Sequence, residues 1–252
     1  MQDRYAFDVG DFGKFGLLRH LSYLTGQKER GPLGVLWYAT VFPDKGDSGK
    51  HLGYLELDNF GAPSPDAAQY RECDPHLYDL FKWHMQEQRT RSIAMLESVV
   101  PLPVSTKFYR EMTGRGSEAR SEWFRRALAT VSECSVVFCD PDNGIANPDS
   151  SKEESGSVQH VRFQELERLH EQGHGLVVYH HLNRTADHVS QVRDWNNRFM
   201  RLSPDAKAVR FGRGNSRAFF VIPSERAPDL VHRLDLLRTS VWVKNRHLEF
   251  VE

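Results

Sequence analysis

The apolar run Ser135-Val136-Val137-Phe138-Cys139 ends directly in Asp140-Pro141-Asp142-Asn143-Gly144. A run of that composition reads as a buried strand, so the polar residues after it stand at the rim of a sheet. Pro141 fixes its own φ and ends the ladder, and Asn143-Gly144 accepts the positive φ of a sharp turn. Two carboxylates on such a turn can accept hydrogen bonds from an exocyclic amine, hold a metal or serve as a general base. A plain turn with solvated acids is the simpler account of the same residues. His180-His181 closes the next apolar run and is followed by Asn183 and Arg184. Side chains alternate along a strand, so only one of the two imidazoles need face a site.

Three further groups carry chemistry. Asp8-Val9-Gly10-Asp11-Phe12-Gly13-Lys14 sets two acids, two glycines and a lysine directly before a helix, whose N-terminus favours anions and close backbone approach. Asp11 is placed to cap that helix. Asp47-Ser48-Gly49-Lys50-His51 offers glycines and basic residues to a phosphate, although a solvated loop explains them equally. Arg184, Arg210, Arg213 and Arg217 could gather into a basic rim for a phosphodiester backbone. Trp37, Tyr38, Phe219 and Phe220 lie inside strand patterns and read as core.

The chain has 252 residues, 39% hydrophobic and 27% charged, with 33 basic against 34 acidic residues. That is an ordinary globular composition with no general pull towards nucleic acid or anionic membranes. No run approaches the roughly 18 apolar residues of a membrane span, and no apolar segment follows the acid-bearing N-terminus. Cys73, Cys134 and Cys139 are too few and scattered for a disulfide framework, and Cys134 and Cys139 flank an apolar run as buried thiols do. The expected location is the cytoplasm.

The elements that must position these residues are read from periodicity. Helices are expected over 12–24, 75–99, 117–129, 162–172 and 185–201, and strands over 33–41, 104–108, 135–139, 175–181, 206–211 and 216–222. Residues 42–74 read as a long surface excursion, and 212–215 as the turn of a closing hairpin. Strands alternating with helices make one α/β domain over 1–252, with a doubly wound, mainly parallel sheet and an antiparallel C-terminal hairpin at its edge. In such sheets ligands bind outside the carboxyl ends of the strands, which is where Asp140 and His180 fall.

Two of these motifs carry a family resemblance. The segment from Tyr5 to His20, with its Asp-Val-Gly-Asp-Phe-Gly-Lys-Phe-Gly-Leu-Leu-Arg-His core, resembles the N-terminal segment of ribosomal-RNA adenine methyltransferases of the RlmJ type. Asp140-Pro141-Asp142-Asn143 looks like the Asp-Pro-Pro-Tyr motif with which amino-methyltransferases grip the target amine, with Asn143 where the family has its aromatic. The helix, strand, helix and hairpin that follow match the second half of a Rossmann-type methyltransferase. The family's glycine-rich cofactor turn has no counterpart in Val41-Phe42-Pro43-Asp44-Lys45-Gly46. The resemblance implies an S-adenosylmethionine-dependent methyltransferase acting on an amine of a nucleic acid or nucleotide. Asp140, Asp142 and Asn143 would then hold the amine, with Asp8, Gly10, Asp11 and Lys14 near the cofactor. Lys50, His51, Arg184, Arg213 and Arg217 are the expected substrate contacts. The competing expectation is a nucleic-acid hydrolase, a nuclease or base-excising glycosylase of defence or repair. There Asp140 and Asp142 would activate water with His180 or His181, and a divalent metal could take part.

Overall fold

Apolar runs too short for buried helices pair into a seven-stranded sheet in the computed structural model, which describes residues 2–22, 32–40, 51–57, 67–147, 158–184, 186–212 and 217–251. The strands are β1 (Leu33–Trp37), β2 (Lys107–Tyr109), β3 (Val136–Asp140), β4 (Gly144–Ile145), β5 (His160–Val161), β6 (Gly175–His181), β7 (Lys207–Phe211), β8 (Arg217–Ile222) and β9 (Leu248–Val251). Their order is β2-β1-β3-β6-β8-β7-β9, with β4 and β5 forming a separate pair. The ladders joining β2, β1, β3 and β6 are parallel; those joining β6, β8, β7 and β9 are antiparallel. Two antiparallel steps return β7 to the direction of the parallel set, so the mixed sheet is mainly parallel in direction.

Strand alternation divides the core in two. Val35, Trp37, Phe138, Val177, Tyr179, Phe219 and Val221 pack on one face; Leu36, Val137, Cys139, Val178, Phe220 and Ile222 pack on the other. The first face is covered by α1 (Val9–Ser22), α3 (Pro75–Glu87) and α4 (Ile93–Val99), with α2 (Ala67–Cys73) alongside. The second is covered by α5 (Ser117–Val131), α6 (Phe163–Glu171) and α7 (His188–Phe199). Period-two alternation therefore sends Asp140, Tyr179, His181 and Arg217 towards α1, and Cys139 and His180 towards α5–α7.

Several boundaries differ from expectation for identifiable reasons. Helix α1 starts at Val9 because Asp8, not Asp11, caps it: Asp8 Oδ1 accepts the Gly10 and Asp11 N–H groups at 2.7 and 3.0 Å. The single helix expected over 75–99 is two, because Arg89 takes a left-handed φ of 52° and Ser92 Oγ caps a new start at Met95 N. Within the expected excursion lies α2, where residues 67–73 are described. The closing hairpin does not form the edge: β8 pairs with β6 inside the sheet, and the edge strand is β9, reached through α8 (Leu230–Asp235) and α9 (Val241–Lys244).

Candidate functional site

On the α1 face, the strand end of β3 meets the start of α1 in a sealed set of charges. Asp140 is 1% exposed, and its Oδ2 lies 2.9 Å from Lys14 Nζ. Lys14 also pairs with Asp11 at 2.9 Å, and Asp11 Oδ2 accepts the Phe7 N–H at 3.0 Å. Burial alone would lower the Lys14 pKa, but Asp11 and Asp140 hold the ammonium well above its ordinary value. Burial pushes the Asp11 carboxyl up to about 7, against the pull of Lys14. Arg217 reaches Asp8 at 3.4 Å, and its Nε donates to the Tyr179 hydroxyl at 3.0 Å. Gly10 is explained by the same contact: a Cβ there would stand inside the Arg217 guanidinium.

These positions change the reading of the four residues expected to hold a cofactor. Asp8, Asp11 and Lys14 are each buried, and Gly10 is covered by Arg217. Their charges answer one another rather than an outside ligand, so the quartet does not fit a cradle for S-adenosylmethionine. Arg217, expected on a basic rim, belongs to this interior set instead. Asp140 Oδ1 is buried and, among the described residues, has no hydrogen-bond partner.

The turn after β3 leads to the other face. Asp142 Oδ2 accepts hydrogen bonds from Gln2 Nε2 and Thr40 Oγ1, each at 2.7 Å, which ties the turn to the end of β1. Asn143 donates from its backbone to Gln159 O at 2.9 Å and from Nδ2 to Gln159 Oε1 at 3.1 Å. Asn143 is exposed at this turn. Gly144 has φ 86°, and a Cβ on it would overlap His180 Nδ1. With no Cβ in the way, the Ile145 N–H donates to His180 Nδ1 at 3.0 Å. Asn143, His180, His181, Asp194, Trp195 and Arg198 are among the residues lining a cavity of about 550 Å³ at this strand end.

The two histidines are divided as alternation requires. His180 is 6% exposed and packs 5.3 Å from the Trp195 ring. Burial, then the neighbouring His181 and His160, pushes its pKa down to about 3. His181 lies on the opposite face of the strand, exposed as a residue, with Nδ1 2.9 Å from the Tyr179 hydroxyl. Arg217 Nε donates to the same oxygen. Crowding by protein, followed by the Arg217 and Lys14 charges, pushes His181 down to about 4.

The remaining expected contacts are dispersed. His51 is exposed, and its backbone carbonyl, not its ring, meets α1 by accepting the Val9 N–H at 3.1 Å. Arg184 is exposed just beyond β6. Lys50 and Arg213 lie outside the described residues. Arg210 pairs with Glu249 on β9.

Other residues gained importance only in three dimensions. Arg120 and Glu165 form a buried two-pronged pair at 2.7 and 2.8 Å, and Arg120 also donates to His160 O at 2.9 Å, fixing β5 beneath the cavity. The spacing of apolar residues on α5 and α6 hides this pair, since each charge looks like a surface residue in sequence. His170-Glu171-Gln172-Gly173-His174 has the His-Glu-x-x-His spacing of a zinc helix. Helix α6 ends at Glu171, however, and the two rings diverge to Pro223 O and Cys134 O. Among the described residues no group of three His, Cys, Asp or Glu side chains is placed to hold a metal, and no helix is long and apolar enough to cross a membrane. Comparison with protein-family models, curated proteins and solved structures finds no match to the chain.

Proposed function

We infer that the chain is an enzyme that modifies an exocyclic amine of a nucleobase, a methyltransferase acting on a nucleic acid or nucleotide. The observation that carries this reading is Asn143: its Nδ2 donates to Gln159 Oε1 and the residue lines the strand-end cavity, where its carbonyl oxygen would be the acceptor for an amine. A carbonyl that accepts an amine proton concentrates electron density on the nitrogen and favours its attack on an electrophile. Trp195 gives the same cavity an aromatic wall against which a planar ring can pack. The position of β8, antiparallel between β6 and β7, supports the Rossmann-like methyltransferase scaffold to which this motif order is similar.

S-adenosylmethionine would supply the electrophilic methyl group. Asp8, Gly10, Asp11 and Lys14 are closed to it. The hydrolytic alternative asks Asp140 and Asp142 to activate water. Asp140 is buried against Lys14 and Asp142 accepts two hydrogen bonds, which weighs against their activating water and equally against their gripping an amine, so the amine reading rests on Asn143. Calorimetric titration with S-adenosylmethionine tests the donor: saturable binding is expected, and none at millimolar concentration would sink the methyltransferase.

A further inference from the structure

His180 is unlike an ordinary strand-end histidine, because backbone geometry dictates its protonation pattern. A backbone N–H can only donate, so the Nδ1 that receives the Ile145 N–H at 3.0 Å carries no proton. In the neutral ring the proton then sits on Nε2, for which there is no hydrogen-bond partner among the described residues. The ring is almost entirely buried and lines the strand-end cavity with Asn143. The lock is built into the chain, since only glycine at 144 leaves room for Nδ1 at that turn.

We propose that His180 is a fixed Nε2–H hydrogen-bond donor that selects the ligand ring: a heterocycle whose amine lies next to an unprotonated ring nitrogen. This rests on the reading of the cavity as an amine-recognising pocket. Asn143 Oδ1 accepts from the amine, and His180 donates to the adjacent nitrogen. A ring carrying N–H or C=O at those positions meets donor with donor or acceptor with acceptor, leaving buried groups unmatched. Burial, then His181 on the same strand and His160 on β5, favour the neutral imidazole, while Arg198 and Asp194 on α7 bring one charge of each sign to the cavity. The donor therefore persists across the physiological pH range rather than switching.

Two measurements on the full chain test this. Long-range proton–nitrogen NMR of histidine-labelled protein, with His180 assigned by its loss in His180→Gln, should show a bare Nδ1 and a protonated Nε2 unchanged from about pH 5 to 8. An Nδ1–H tautomer, or titration within that range, overturns the proposal whatever the enzyme does. Calorimetry with adenosine, cytidine, inosine and uridine should show binding of the first two, weakened up to about tenfold in His180→Ala. Equal affinity for all four in both proteins overturns the role of His180 while the amine pocket stands. Binding of none removes the amine pocket itself, and the ligand assignment with it.

Discussion

Lys14 on α1 and Asp140 at the end of β3 meet at 2.9 Å inside the protein, 126 residues apart in sequence. Lys14 is shared with Asp11, so a single ammonium compensates two buried carboxylates. Removing one partner of a buried pair leaves an uncompensated charge, which costs about 3–5 kcal/mol. Lys14→Met should lose that much stability in urea denaturation. Lys14→Met combined with Asp140→Asn should recover part of it. If the single variant is as stable as the parent, the pair does not hold α1 to β3.

The same cluster sets a pH dependence. Asp11 titrates near its ordinary value of 3.8 when unfolded and near 7 when folded, because burial outweighs the attraction of Lys14. Between those values the folded state holds the extra proton, so this contribution to stability is full in acid and is lost as pH rises through about 7. The depressed imidazoles His180 and His181 act oppositely: the folded state sheds protons that the unfolded state keeps below about 6.5. The two effects therefore oppose each other between about pH 4 and 6.5, and above about pH 7 neither changes stability further. Urea midpoints measured across pH should show stability rising more steeply between about pH 4 and 7 in Asp11→Asn than in the parent, because the opposing loss from Asp11 is gone. An unchanged slope between about pH 4 and 7 in that variant would locate the titrating proton elsewhere.

The positions of the site residues were legible where physics is local. The run 135–139 and the run 175–181 are apolar and β-branched, and each ends in polar residues, so Asp140 and His180 were readable as strand-end groups. Their roles were not. Whether Asp140 faces ligand or Lys14 depends on an ion pair between distant segments, which no local pattern records. Asp8 and Asp11 both suit a helix cap, and only the start of α1 decides between them. The break after α3 was hidden because Arg89 and Ser92 sit among good helix formers, and the break depends on a left-handed residue that is not glycine. The C-terminal elements α8, α9 and β9 are too short to show a period.

Gly144 is the hinge between the Asp140–Asn143 turn and the His180 ring. Alanine there would adopt φ 86° under strain, and its Cβ would displace His180 Nδ1. The expected cost is about 1–3 kcal/mol, the range for a non-glycine residue forced into a sparsely populated backbone region. Gly144→Ala should lower the urea midpoint and release the Ile145 amide to faster hydrogen exchange. Unchanged protection of that amide would separate the glycine from the histidine lock.

Arg120 and Glu165 test whether the cavity wall is held from below. The guanidinium spans both carboxylate oxygens and the His160 carbonyl, and also lies 5.0 Å from the centre of the Tyr38 ring. Glu165→Gln keeps the shape but leaves Arg120 buried without a counter-charge, so destabilisation of about 3–5 kcal/mol is expected. Arg120→Met with Glu165→Leu removes both charges and should be more stable than either single change, because neither charge is stranded. That double variant also lacks the donor to His160 O, so β5 should loosen: hydrogen exchange at Ala146, whose N–H bonds Val161 O at 2.8 Å, should quicken even where global stability returns. If Ala146 stays protected in the double variant, the Arg120–Glu165 pair stabilises the fold without positioning the cavity.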